Sequence, residues 1–188
     1  MNIPRVVDPR SLDMAAFALA AGRLESEWPL AQMRRLQPDL VPLSANSPAQ
    51  SVAWSALGEQ RLASGGDGQV WLHVQAQTAL SLCCQRCLQP MTVELDVRSA
   101  FLFVQGEELA EQLDEHCEDN VLAITPSLDL LTLIEDELIL ALPLVPRHDV
   151  CPIAFPMSAG SDEFSDAKAL EHPFAALAPL LRRDSGDG

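Results

Sequence analysis

The chain has 188 residues, 48% of them hydrophobic, and carries 27 acidic against 12 basic side chains for a net charge of −15. That length and apolar content support one well-buried domain with tails rather than a disordered chain. No run of about 18 apolar residues is present, so no membrane-spanning helix is expected. So acidic a chain is a poor general binder of nucleic acid, because that affinity comes mainly from neutralising phosphates. A basic protein is the better complement. The charge is also uneven: residues 99–146 contain no Lys or Arg, while Glu107, Glu108, Glu111, Asp114, Glu115, Glu118, Asp119, Asp129, Glu135, Asp136 and Glu137 all fall there. The plain alternative is a solvated face that serves solubility. Five cysteines, an odd number, fit a reducing compartment better than a disulfide framework. The opening residues lack a secretory pattern, and a cytoplasmic location is expected.

In chain order, residues 11–22 read as a short Ala-rich helix with Ser11 as its cap and Gly22 as its stop. Residues 23–28 alternate as a strand ended by Pro29. Leu30, Met33 and Leu36 then recur at helical spacing, with Arg34 and Arg35 between them as a solvated face or a limited phosphate contact. From Ser51 the period becomes two: Val52, Trp54 and Ala56 alternate with small or polar neighbours, and Gly65, Gly66, Asp67 and Gly68 mark a turn. Val70, Leu72, Val74, Ala76, Leu80 and Leu82 share one face of the next strand. If the alternation continues, Cys84 points with that apolar face and Cys83 away from it. After a bend at residues 84–87, Met91, Val93, Leu95, Val97, Phe101 and Phe103 repeat the pattern, which makes an antiparallel hairpin.

Residues 106–119 are acidic with little apolar periodicity and read as a mobile loop or a poorly packed helix. Residues 120–125 suggest a short strand. Ser127 or Asp129 caps the strongest helix, residues 130–142, with Leu131, Ile134, Leu138 and Leu142 on one face. Pro143 stops it and leaves an extended strap through Pro146. The fold class expected is α+β, an antiparallel curved sheet or small barrel with a few packed helices. Residues 1–150 form its single domain, 151–172 an acidic, Pro-containing linker, and 173–188 a C-terminal docking helix and tail.

Two thiolates at Cys-x-x-Cys spacing on a tight turn can share one ion, so Cys84 and Cys87 look like half of a zinc site. His148 and Cys151, also three apart, are the best candidates for the other half, provided the strap folds back onto the hairpin tip. No cofactor is demanded by the sequence; zinc is the one it allows. The glycines that usually shape a knuckle are missing around both pairs, and a redox Cys pair would normally open a helix rather than link two strands. Catalysis finds no motif: there is no Gly-rich phosphate loop, no Gly-x-Ser-x-Gly, no His-Glu-x-x-His, and His73, His116, His148 and His172 are scattered. Glu135, Asp136 and Glu137 are consecutive on a helix, so they point in different directions and are no acid–base pair. With no Tyr and few aromatics there is no stacking platform for single-stranded RNA.

Three elements, in this order and spacing, carry a resemblance: Cys84-Gln85-Arg86-Cys87-Leu88 after an alternating strand; Glu135-Asp136-Glu137-Leu138-Ile139-Leu140-Ala141-Leu142-Pro143 followed by Leu144-Val145-Pro146-Arg147-His148; and Pro173-Phe174-Ala175-Ala176-Leu177. Together they resemble the YceD family, the large ribosomal RNA subunit accumulation proteins of bacteria and plastids. The resemblance implies a non-enzymatic role in the synthesis, processing or stability of 23S rRNA, with no small-molecule substrate and no membrane. Many relatives carry further cysteines after the strap, where this chain has only His148-Asp149-Val150-Cys151. Charge and resemblance together predict an acidic factor that holds a ribosomal protein or an rRNA-processing factor and reaches pre-rRNA through it. Glu135, Asp136 and Glu137 would belong to the attracting surface, and Arg34, Arg35 and Arg86 would give limited RNA contact. The rival readings are a direct RNA-binding module and a structural zinc-binding protein.

Overall fold

Two long alternating strands set the architecture. In the computed structural model, which describes residues 7–41, 50–62, 68–116 and 120–153, β3 (Gly68–Cys83) and β4 (Pro90–Val104) pair antiparallel from Val70 opposite Phe103 to Cys83 opposite Pro90. Strand β2 (Ser51–Leu62) flanks β3, and β1 (Arg23–Pro29) flanks β2, both antiparallel. Beyond β4 lies β5 (Asn120–Ala123), and it runs parallel to β4. The sheet order is β1-β2-β3-β4-β5, open at both ends, so the α+β class holds and the barrel alternative does not. The parallel strand departs from the all-antiparallel expectation because helix α2 (Glu107–Asp114) turns the chain back across the sheet, the connection a parallel neighbour needs.

The period-two pattern sorts the side chains as expected. Val70, Leu72, Val74, Ala76, Leu80 and Leu82 join Val52, Trp54, Ala56, Phe101 and Phe103 in the main core. That core is covered by α1 (Met14–Leu19), through Met14, Phe17 and Ala18, and by α3 (Leu130–Leu140), through Leu130, Leu131, Ile134 and Leu138. The opposite face holds a smaller cluster of Trp71, Leu102, Val121 and Ala110, the last from α2. The acidic segment is therefore a helix seated through Ala110, with Leu113 packed beside it.

Several boundaries differ from the sequence reading for identifiable reasons. Asp13, not Ser11, caps α1 by accepting from the Ala16 N–H at 3.0 Å, while the Ser11 hydroxyl meets that of Ser127. The left-handed residue after α1 is Ala21 (φ 46), and Gly22 instead makes room for the Phe17 ring. Asp129 caps α3, accepting from the Leu131 and Thr132 N–H groups. The segment with Arg34 and Arg35 is not one helix but two 3-10 turns, Leu30–Gln32 and Gln37–Asp39. Its N–H groups are captured elsewhere. One carboxylate oxygen of Glu135 accepts from the Arg35 N–H at 2.6 Å and the Leu36 N–H at 3.2 Å. The Gln37 side-chain amide caps the Leu30 carbonyl, and Leu30, Met33 and Leu36 are buried all the same. The turn residues 65–67, the linker after Ile153 and the C-terminal helix lie outside the described residues. Among the described residues, no helix is long and apolar enough to cross a membrane.

Two predictions follow from this packing. Replacing Glu135 by Ala strips one buried and one part-buried N–H group of their acceptor and should destabilise the protein by about 3 kcal/mol in denaturant titrations. At Gly58 an added Cβ would sit 2.6 Å from Phe17 and 3.0 Å from the backbone of Ala18. Gly58→Ala should therefore cost about 1–3 kcal/mol, whereas Gly68→Ala, which meets only the movable side chain of Gln60, should cost clearly less in the same assay.

Candidate metal centre

The β3–β4 ladder ends where Cys83 faces Pro90, and the six residues between them close the tip. Because side chains alternate, Cys84 continues the apolar face of Leu80 and Leu82 and is fully buried, while Cys83 on the other parity is half-exposed. The Cys84 N–H donates to the Gln89 carbonyl at 3.0 Å, and the Leu88 N–H donates to the Cys84 carbonyl at 2.8 Å. This tight loop brings Cys87 back beside Cys84, and Cys87 is buried too. A glycine would ordinarily supply the left-handed residue such a turn needs; here Leu88 takes it, at φ 55, with its side chain exposed.

The second pair arrives from α3. Pro143 cannot continue a helix, so the chain leaves as an extended strap. The Gln85 N–H donates to the Pro146 carbonyl at 2.8 Å, and the His148 N–H donates to the Cys84 sulfur at 3.4 Å. The Cys87 Sγ lies 3.3 Å from His148 Nδ1. Cys84, Cys87, His148 and Cys151 thus offer four ligand atoms, all within 4.8 Å of one another. A zinc–sulfur bond of about 2.3 Å implies a sulfur–sulfur edge of about 3.8 Å in a tetrahedron. Contraction by about an ångström would close the set around an ion, so the residues fit a zinc-type metal.

The electrostatics favour this as well. Burial pushes the Cys84 thiol up, but hydrogen bonds from the His148, Cys87 and Arg86 N–H groups and from the Cys87 thiol outweigh it and bring the pKa to about 5. Cys151 is pushed up, first by burial and then by the neighbouring Cys87 and Cys84 sulfurs. Four like-charged or lone-pair donors crowded together in a half-buried site repel unless a cation lies among them. A metal held here would have four protein ligands and no open position, and it would cross-link the hairpin tip to the strap.

The remaining candidates are placed elsewhere. Arg86 is exposed on the tip. Glu135 is turned inward against Arg35 and Leu36, Asp136 forms an ion pair with the Arg35 guanidinium, and Glu137 accepts from the Ser99 hydroxyl. His73 lies on the sheet, hydrogen-bonded to Glu59, and His116 bonds the Gln112 carbonyl. Glu59 is held at about 2 by the Arg61 side chain of its own strand and by His73 of the neighbouring one, an arrangement of sheet-surface partners rather than of a reactive group. Cys117 and His172 lie outside the described residues. Sequence reasoning missed Leu88 and Arg147, and it read Arg35 as a free surface cation. The signal for Arg35 was weak, since its partner Glu135 lies 100 positions away.

The fold is an open α+β sheet whose central hairpin meets a post-helical strap at its tip, where three cysteines and a histidine gather into a set that could hold a structural-type metal ion. Residues 72–181 match the family described as Large ribosomal RNA subunit accumulation protein YceD. A curated relative of that name from Haemophilus influenzae (strain ATCC 51907 / DSM 11121 / KW20 / Rd) is 32% identical over 190 residues, covering 97% of this chain and 98% of the relative. The chain belongs to the YceD family. No solved structure matches it.

The full-length protein should take up one zinc or cobalt ion per chain, with cobalt giving a thiolate charge-transfer band in the near ultraviolet. Cys84→Ser and Cys151→Ser should each lower affinity by about tenfold or more, while Cys83→Ser, outside the cluster, leaves it unchanged. A wild-type chain that binds neither ion at micromolar concentration would overturn the assignment.

Proposed function

We propose that this protein is a non-enzymatic, cytoplasmic factor in the synthesis, processing or stability of 23S rRNA during large-subunit biogenesis, and that it acts through a basic protein partner. Membership of a family named for accumulation of the large ribosomal RNA subunit supports the first half of the reading. The observation that carries the second half is the groove beside α2. Glu107, Glu111 and Asp114 line it together with Ala110 and Val121, in a space of about 390 Å³. Glu107, Glu108, Glu111 and Glu115 are exposed, and none has an ion-pair partner among the described residues. Carboxylates arrayed beside an apolar floor suit a Lys- or Arg-rich segment whose side-chain stems lie along the floor. Asp136 and Glu137 lie on α3, across the sheet from α2, and both already have internal partners.

Depletion of the protein should lower the ratio of large to small subunits in sedimentation profiles and cause 23S precursors to accumulate. Complementation by the triple variant Glu107→Gln, Glu111→Gln, Asp114→Asn should be weaker than by the wild type, with loss of co-purified large-subunit proteins. Unchanged subunit ratios and 23S processing would remove the ribosomal reading. Recovery of naked 23S precursor with no ribosomal protein would remove the protein-partner version.

A further inference from the structure

Eight arginines fall within the described residues, and most are already spoken for. Arg23, Arg35, Arg61 and Arg98 are each ion-paired to a carboxylate, and Arg10 donates to the Gln32 side chain. The side chains of Arg34, Arg86 and Arg147 have no ion-pair or hydrogen-bond partner among the described residues. Two of these three face one groove. It has a volume of about 350 Å³ and is lined by Arg86, Met91, Pro143, Val145, Arg147 and Asp149, among others. In a chain of net charge −15, this groove carries two unpaired guanidiniums against a single carboxylate. Its surroundings are apolar and exposed: Leu88 is 70% exposed, Val145 57% and Leu144 100%. The two arginines sit on different segments, the hairpin tip and the strap, and the Cys84, Cys87, His148 and Cys151 cluster holds those segments together.

We propose that this groove binds single-stranded RNA, with Arg86 and Arg147 each holding a phosphate and with Val145 and Pro143 lying under ribose and base. A planar guanidinium matches a phosphate through two parallel N–H donors, and its face can stack on a base. A groove of this volume suits one or two nucleotides, whereas a stable protein partner needs about 800 Å² of surface on each side. No Phe or Trp lines it, and contacts made mainly to phosphates carry no base readout, so the contact is sequence-tolerant. The acidic remainder of the molecule repels phosphate, which confines RNA to this end. The proposal goes beyond the protein-partner reading, because it adds a direct RNA contact that does not use the α2 groove.

The test is fluorescence anisotropy of a labelled short oligouridylate with the full-length, zinc-loaded chain. Binding should fall in the micromolar range, with a slope of log affinity on log salt of about −1.4, as two phosphates on a single strand give. The double variant Arg86→Gln, Arg147→Gln should weaken binding by about tenfold or more and flatten that slope, with metal content and melting temperature retained. Arg86→Lys, Arg147→Lys should keep part of the affinity because the charge stays. Arg34→Gln and the α2 triple variant should bind like the wild type. No binding at about 25 mM salt, a double Gln variant indistinguishable from wild type, or displacement of the RNA by an equal concentration of a Glu-rich peptide would each overturn the proposal. A failure here with partner capture through α2 intact would leave the protein-partner reading standing.

Discussion

The pairing of β3 with β4 is the constraint on which the rest of the structure depends. Their ladder runs without interruption from Val70 opposite Phe103 to Cys83 opposite Pro90. Because strand side chains alternate, that register decides at once which residues enter the main core, which meet α2, and which way each cysteine at the tip points. Leu80, Leu82 and Cys84 have the same parity and the same burial. The candidate metal cluster thus continues the hydrophobic core rather than standing apart from it. A slip of one position would bury Gln75 and Gln77, expose Leu72 and Leu80, and turn Cys84 to solvent.

The second tie is Glu135. It sits mid-helix on α3 yet is only 4% exposed, and it serves as the acceptor for the backbone of a segment 100 positions earlier. Arg35 completes the arrangement by pairing with Glu135 and Asp136 and by donating to the Thr132 carbonyl. A lone buried carboxylate would be costly, but one that accepts two N–H groups and faces a guanidinium is compensated. Its position also bears on the hairpin tip, because α3 ends at Leu140, just before Pro143, and the direction in which α3 is held sets the path of the strap that carries His148 and Cys151.

The sheet was legible in the sequence because period two is a local signal: β3 and β4 could be read residue by residue, including the opposite orientations of Cys83 and Cys84. The four-residue cluster was also legible, since ligand chemistry and paired spacings narrowed the choice to Cys84, Cys87, His148 and Cys151. What escaped were features fixed by distant partners. The helix expected around Arg34 and Arg35 gave way to 3-10 turns because Glu135 claims the N–H groups, and nothing near residue 35 announces that. The parallel direction of β5 depends on α2 packing Ala110 against Trp71 and Leu102, a seat too small to give the segment a visible apolar stripe. The left-handed positions fell on Ala21 and Leu88, where the surrounding contacts override the usual preference for glycine.

The split of the cluster along the chain gives it a further meaning. Cys84 and Cys87 lie on a hairpin closed by near neighbours, whereas His148 stands 61 positions beyond Cys87. Hairpins form within microseconds, long before a distant segment is brought home. A half-synthesised chain therefore owns two of the four donors and a loose grip on any ion. The complete set of four donors exists only after α3 has met the sheet. Retention of the ion would then be a tally of finished molecules, separating chains whose strap has found the hairpin tip from those still waiting.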